Sequence, residues 1–481
     1  MVLDIIVVLI YLAAMVAVGW IGMRRARTTE DYLVAGRRLG PGFYMGTLSA
    51  VVLGGASTIG TAALGYRFGI SGMWLVVMLG LGIIVLSAFL AGPLTRLGVY
   101  TVSQMLELRY QASARLITGV LMSIYALMIA VTSTIAIGSV VDVMFGIPRI
   151  PAILIGGGIV VLYSVIGGMW SLTLTDIVQF LIMTVGVFLI LLPLAIGQAG
   201  GLEGMQAALP ASYFDLGAIG FDRIFTYFLI YFFGILIGQD IWQRIFTARS
   251  ASVARVAGIG AGIYTLFYGL AIALIGAAGK VFLPELESAD SAFAAITQNA
   301  LPAGLRGLVL AAALAAIMST ASAGLLASST LLLEDLYERF FKREAGEHLA
   351  ANRRATLLVG VAVLIIACLV NDVIGALTVA YNLLVGGLLV PIIGAFVWRR
   401  ATGAGALAAI ATGGAVVVIF MLKDGLLADS PIYFGLLASL VAYVVVSLRT
   451  TPTPEQQLAA WEQRLEGKGA TEQAAPAPAF H

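Results

Sequence analysis

Residues 307–337 read GLVLAAALAAIMSTASAGLLASSTLLLEDLY, with Glu334 and Asp335 near the far end as the only charges. A helix crossing a bilayer needs about 20 apolar residues, so this run has length to spare. Its middle is not bulky: Ser319, Thr320, Ser322, Ser328 and Ser329 lie among Ala and Gly rather than Leu. Small residues let helix backbones approach closely and hydroxyls bond across the contact, so the pattern predicts a helix surrounded by other helices. Ala316, Ser319, Thr320 and Ala323 fall at i, i+3, i+4 and i+7 and share one face. That face can offer oxygens to a small hard cation; the plainer alternative is that its hydroxyls only mediate packing.

The rest of the 481-residue chain matches this reading: 60% of residues are hydrophobic, 11% are charged, and mean hydropathy is +1.02. Such values belong to polytopic membrane proteins. A net charge of +2 gives no reason to expect a nucleic-acid partner. One cysteine, Cys368, cannot form an intramolecular disulfide, and the two histidines, His348 in a charged loop and the terminal His481, offer no metal site or catalytic triad. No His- or Cys-based catalytic site is therefore expected, and the chain does not read as an enzyme. The first apolar stretch lacks the basic start and small-residue cleavage site of a signal peptide and reads as a membrane helix.

Thirteen apolar segments are expected, near 3–23, 43–66, 72–94, 115–144, 150–166, 174–197, 223–243, 252–279, 305–334, 355–375, 376–398, 404–422 and 431–448. With these boundaries, all but six of the 27 basic residues fall on one side, the exceptions being Arg67, Arg149, Arg223, Lys280, Arg306 and Lys423. Basic residues favour the cytoplasm, so the amino terminus is expected outside and the carboxyl terminus inside a plasma membrane. Residues 451–481 read as a cytoplasmic, disordered tail with one short amphipathic stretch.

Two segments carry mid-membrane interruptions. In the second, Gly54, Gly55, Ala56, Ser57, Thr58 and Gly60 occupy the depth where an unbroken helix would be strongest. In the seventh, Gly234 and Gly238 precede Gln239, Asp240, Gln243 and Arg244. Freed backbone groups are tolerated in a membrane only where they line a cavity or are covered by protein. The two interruptions lie five segments apart, so residues 43–197 and 223–398 form two five-helix halves of opposite orientation, the pattern of an inverted-repeat transporter. Asp176 opens the sixth segment, where an acid can simply favour a helix start, and Asp240 and Arg244 are spaced i, i+4 and could pair. Polar residues converging at the breaks make Ser57, Thr132, Ser133, Tyr231, Gln239 and Tyr381 candidates for binding a solute.

The motifs DYLVAGRRLG, TLTDIVQF, GQDIWQR, MSTASAGLLASSTLLLEDLY and YNLLVGGLLVPIIGAFVWRRAT, in that order, resemble the sodium:solute symporter family, which includes carriers of proline, sialic acid, sugars, pantothenate, urea and monocarboxylates. The resemblance spans roughly residues 3–450. It implies an all-α, leucine-transporter-like fold of 5+5 helices in inverted repeat, with one extra helix before and two after. It also implies Na⁺ as coupling ion, held by the backbone carbonyls of Gly55, Thr58 and Ala316 and the hydroxyls of Ser319 and Thr320, with Asp176 on the inner exit path of the ion. Two departures bear on the solute: the positions that sugar carriers use in segment seven hold Tyr231 and Gly234, and Ser57 stands where proline carriers have an acid. The function implied is Na⁺-driven import of a small polar solute such as an amino acid, a small carboxylate or a urea-like amide. The alternatives are a sugar-type symporter, a sensor that keeps the transporter fold, and a channel; 31 residues after 450 leave little room for a signalling domain. The expected partners are the solute and the lipid bilayer, with no obligate protein partner evident.

Overall fold

The computed structural model describes residues 2–286, 288–337, 349–370, 373–426 and 428–468. Among them the regular structure is helical apart from one isolated bridge between Leu39 and Ala248. Ten helical runs are long and apolar enough to cross a membrane, and an eleventh span is the pair Phe221–Ile237 and Gln239–Ile245, bent by 45°. In hydrocarbon, the backbone must satisfy its own hydrogen bonds, which is why the apolar segments take this form.

Counting whole helices does not reach the expected thirteen. The runs Ala56–Arg96 and Arg149–Gln198, 41 and 50 residues long, each cover parts of two expected segments, while Pro41–Val52 stands apart as a short helix. The chain redirects inside these runs with little loss of helical bonding, through the tight turn Gly69–Met73 in the first and at Gly168 in the second. Gly168 has φ 51°, and a side chain there would meet the Tyr32 carbonyl at 2.4 Å, so only glycine fits. The expected division near Asn371 and Asp372 lies outside the described residues, as do His348 and His481.

The run identified first in the sequence is the central element. Leu305–Tyr337 has 89% of its most apolar stretch buried within the protein, against 28% for Val2–Met23 at the periphery. It packs against Ala112–Phe145, Arg149–Thr184 and Val2–Met23. Phenolic hydroxyls from two of these reach Met318: Tyr163 donates to its carbonyl at 3.1 Å and Tyr11 to its sulfur at 3.6 Å. At the other end, Asp335 accepts from Arg115 at 2.7 Å and from Thr101 at 3.1 Å.

The tail departs from expectation. Glu455–Glu466 is a helix with Leu458 and Trp461 buried. Its apolar face is short, yet Trp461 packs on Phe396 with ring centroids 5.6 Å apart. Arg399 pairs with Glu455 at 3.0 Å and Glu462 at 2.9 Å. Gln457 donates to the Tyr110 carbonyl at 2.8 Å and Arg96 to that of Leu465 at 3.2 Å. Polar composition suggested a solvated tail, but one buried indole and four tethers are enough to dock three turns; residues 469–481 lie outside the described part. Removing a buried Trp side chain costs about 3 kcal/mol at the lower end of the usual range. Trp461→Ala is therefore expected to lower the thermal midpoint of the solubilised protein and to speed proteolysis beyond residue 450. The exposed Gln456→Ala should do neither, and equal behaviour of the two variants would show that the helix is not docked.

Candidate ion and solute site

Pro41–Val52 ends at Leu53, whose backbone (φ −94°, ψ 63°) leaves the helix, and helical bonding resumes from Gly55 in a wider coil over Ala56–Gly60. The break frees carbonyls near mid-membrane, and hydroxyls take them up: Thr320 donates to Val51 O at 2.9 Å and Ser57 to Val52 O at 3.0 Å. Thr320 can do so only because Gly54 has no side chain, since a Cβ there would lie 2.6 Å from its Oγ1. The central helix and the first break are thus in direct contact, as the ligand set implied by the family resemblance requires. The second break is at Gly238 alone, with φ −63° and ψ 130°; Gly234 remains within helix Phe233–Ile237. There the Trp242 indole donates to Leu236 O at 2.7 Å, supplying one of the bonds that the bend removes.

A cavity of about 60 Å³ lies beside the first break. Gly55, Ser57, Thr132, Ser133, Tyr231, Tyr381 and Thr320 line it together with Leu75, Leu79, Ile129 and Leu377, and among the described residues no charged side chain does. Tyr381 is gripped edge-on by Tyr125 and Tyr231, each ring centroid 5.5 Å from its own, and lies against Gly234. Thr132 spends its proton on Ile129 O at 3.1 Å; the hydroxyls of Ser133 and Tyr231 have no protein partner among the described residues. The cavity is large enough for a small group of atoms and is not merely a packing defect.

Five of the six solute candidates meet here; Gln239 does not. Its amide donates to Tyr100 O at 2.9 Å and accepts from Val102 N–H at 2.8 Å, fully buried on the other side of the bend. A primary amide at a helix start has to satisfy both a donor and an acceptor, and the neighbouring loop supplies the complementary backbone pair. Of the ion candidates, Thr320 and Ala316 lie at the contact between the break and the central helix, Gly55 lies against Ile317 of that helix, and Ser319 turns to Asp176. Thr58 shares a hydrogen bond of 3.0 Å with Tyr268 and its carbonyl accepts from Thr61 N–H. Ala316 O lies 3.3 Å from the Thr320 hydroxyl.

Asp176 is not at a helix start. It lies about two turns beyond Gly168 inside Arg149–Thr184, fully buried. Ser319 donates to its Oδ1 at 2.6 Å, Thr47 donates to Oδ2, and Arg244 pairs with Oδ2 at 3.3 Å with both side chains wholly buried. The expected Asp240–Arg244 pair is therefore replaced: Arg244 turns to Asp176, and Asp240 accepts from the Tyr125 hydroxyl at 3.2 Å. Sequence spacing reports neighbours on one helix, whereas Asp176 comes from another; Thr47 and Arg244 were missed for the same reason. The available signal was two opposite charges abutting separate apolar segments.

Removing one member of a buried ion pair costs about 3–5 kcal/mol because the survivor is stranded. Asp176→Asn and Arg244→Gln should each reduce the yield of folded protein and its thermal midpoint strongly, and the double variant should lose less than the two singles together. Strict additivity in thermal unfolding would show that the pair is not coupled.

A model of the sodium:solute symporter family matches residues 32–413. The chain is 26% identical to the sodium/glucose cotransporter of Vibrio parahaemolyticus, covering 93% of this chain and 91% of that protein. It is 27% identical to the high-affinity proline transporter of Bacillus subtilis, with 91% and 96% covered, and 28% identical to the sodium/pantothenate symporter of Escherichia coli, with 94% and 98% covered. Its fold resembles that of a Na⁺-coupled sialic acid symporter solved in a substrate-bound outward-open state, with TM-score 0.83 at 18% identity over 94% of this chain and 98% of the other. It also resembles inward-facing Mhp1, with TM-score 0.54 at 16% identity over 89% and 95%. The fold is the leucine-transporter-like one.

Proposed function

The chain belongs to the sodium:solute symporter family and is a Na⁺-coupled membrane transporter, and we propose that its solute is a compact polar organic molecule: an amino acid, a small carboxylate or a urea-like amide. The cavity at the first break carries this reading. It is lined by neutral hydroxyls, an aromatic pair and aliphatic side chains, and its volume of about 60 Å³ suits a solute with few heavy atoms better than a hexose. Gly54, Gly55 and Ala56, at the amino end of the resumed helix, also line it. Backbone N–H groups at a helix start favour an anionic group, so a carboxylate can be received without a basic side chain. Ser133 and Tyr231, whose hydroxyls are otherwise unused, would add the donors and acceptors that fix orientation.

The proposed Na⁺ ligands are the carbonyls of Gly55, Thr58 and Ala316 and the hydroxyls of Ser319 and Thr320. Both hydroxyls give their protons away, Ser319 to Asp176 and Thr320 to Val51 O. A hydroxyl has one proton and two lone pairs, so this donation leaves the lone pairs for a cation, and hard cations take such oxygen ligands. Asp176 would act behind Ser319, orienting its oxygen and lowering the cost of positive charge nearby. Residues 43–197 and 223–398 would be the two repeats that move relative to each other around this site. In the plasma membrane, the amino terminus would lie outside and the carboxyl terminus inside, as the basic residues favour.

Uptake into proteoliposomes with and without an inward Na⁺ gradient, preceded by a thermal-shift screen of candidate solutes with and without Na⁺, tests the reading. Ser319→Ala combined with Thr320→Ala is expected to raise the half-saturating Na⁺ concentration about tenfold or more. Ser133→Ala should instead raise the half-saturating solute concentration several-fold and leave the Na⁺ value near that of the parent protein. A double variant with the parent's Na⁺ dependence would remove the ion assignment, and solute binding indifferent to Ser133, Ser57 and Tyr231 substitutions would remove the solute site.

A further inference from the structure

Away from the cavity, the end of the first helix, the loop after it and the Gly168 bend enclose an open pocket of about 390 Å³. Its lining is Arg24, Arg25, Arg27, Arg38, Asp31 and Trp170. Four guanidiniums face one carboxylate, and that carboxylate is already engaged. Asp31 accepts from the backbone N–H groups of Arg27 and Thr28 at 3.3 Å and from the Trp170 indole at 3.5 Å, and it pairs with Arg38. Burial opposes its charge, but these hydrogen bonds and the Arg38 guanidinium hold its carboxyl below the usual range, so it stays ionised at neutral pH. Arg24, Arg25 and Arg27 make no ion pair among the described residues.

The aromatic groups place these charges at an interface. The Arg24 guanidinium lies 3.8 Å over the ring of Trp20, and those of Arg25 and Arg38 lie 5.2 and 5.8 Å from the centre of Trp170. Trp20 and Ile21 are 47% and 48% exposed on the outer surface of the first helix, so the pocket opens beside a wall that faces hydrocarbon. Tryptophan is enriched at the level of lipid headgroups. Arginines that only orient a helix during insertion need to be near it in sequence; here Arg38 and Trp170 come from separate parts of the chain to complete one concave basic site.

We propose that this pocket binds the headgroup of an anionic phospholipid, with the arginines around its phosphate and the acyl chains lying along Trp20 and Ile21. The guanidinium fork matches phosphate oxygens in pairs, and basic clusters beside a membrane helix are a recognised setting for acidic lipids. The first helix meets the segment after Gly168 here, with Ser171 donating to Gly19 O at 2.5 Å. A bound lipid would therefore clamp that crossing, on the same helix that carries Asp176.

Native mass spectrometry of the full chain, titrated with phosphatidylglycerol, phosphatidylcholine or inorganic phosphate, reads the site directly. The parent protein is expected to retain phosphatidylglycerol well above phosphatidylcholine and to be indifferent to inorganic phosphate. Arg24→Gln/Arg25→Gln/Arg27→Gln should weaken phosphatidylglycerol retention at least about tenfold, and the control Arg249→Gln/Arg255→Gln/Arg354→Gln should not. If the first triple variant fails to insert, the corresponding triple Lys variant keeps the charge and should still bind several-fold more weakly, because an ammonium lacks the fork. Equal weakening in the control, equal retention of phosphatidylcholine, or unchanged binding by both triple variants would overturn the proposal. Displacement of the lipid by millimolar inorganic phosphate would assign the pocket to a soluble anion instead.

Discussion

The interaction on which the interior depends is the buried pairing of Asp176 with Arg244. Neither side chain has any solvent exposure, and Ser319 and Thr47 complete the shell of the carboxylate. Four separate elements meet at one charge: the short helix before the first break, the helix beyond Gly168, the part of the second broken helix after Gly238, and the central helix. A neutral hydroxyl contact between membrane helices is worth about 0.6 kcal/mol on average, whereas stranding one partner of a buried ion pair costs about 3–5 kcal/mol. Among the polar contacts, this cluster therefore dominates the placement of the broken helices. It is also incompletely satisfied within the protein, since Arg244 Nε and Nη1 have no protein partner among the described residues.

The breaks themselves follow from the rule that a backbone in hydrocarbon must have its polar groups covered. At the first, covering is done by side-chain hydroxyls from two directions, Ser57 from the same segment and Thr320 from the central helix. At the second, the Trp242 indole covers Leu236 O while the Asp240 carboxylate accepts from the backbone N–H groups of Asp240 and Ile241. The difference has a chemical consequence. Hydroxyls that donate to a carbonyl keep lone pairs for another ligand, whereas an indole N–H has nothing further to offer. The cavity lies beside the break that is sealed by hydroxyls.

Much of this was legible in the sequence because it is local. The small, hydroxyl-bearing face of residues 316–323 and the glycines at 54 and 238 depend on periodicity and on the backbone freedom of individual residues, whereas the clustering of Ser57, Thr132, Ser133, Tyr231 and Tyr381 is expected from two breaks placed five segments apart. What sequence could not specify was which way polar groups near a break would turn. Gln239 adjoins the bend but faces the Tyr100–Val102 loop, because its amide needs a donor and an acceptor at once. Arg244 has an acid four residues earlier on its own helix and still chooses Asp176, which packing brings to it from another. The carboxyl-terminal helix differs from the expected disordered tail because, despite its polar composition, Trp461 and Leu458 are buried on one face.

Adjacent residues on the central helix also connect the two breaks. Thr320 donates to Val51 beside the first break, while Ser319 donates to Asp176, which is paired with Arg244 beyond the second. A cation at the proposed site would draw on the oxygens of both hydroxyls. Polarising them strengthens both donations, so one ion would tighten the hold on both broken helices, and its departure would loosen both. A ligand shifts a conformational equilibrium only by its difference in affinity for the two states. Two adjacent hydroxyls, one tied directly to the first break and the other reaching the second through Asp176 and Arg244, would provide such a difference at a single point, and the solute cavity shares Gly55 and Thr320 with it. Ion and solute would then stabilise the same arrangement of the first break, which is the physical content of coupling between them.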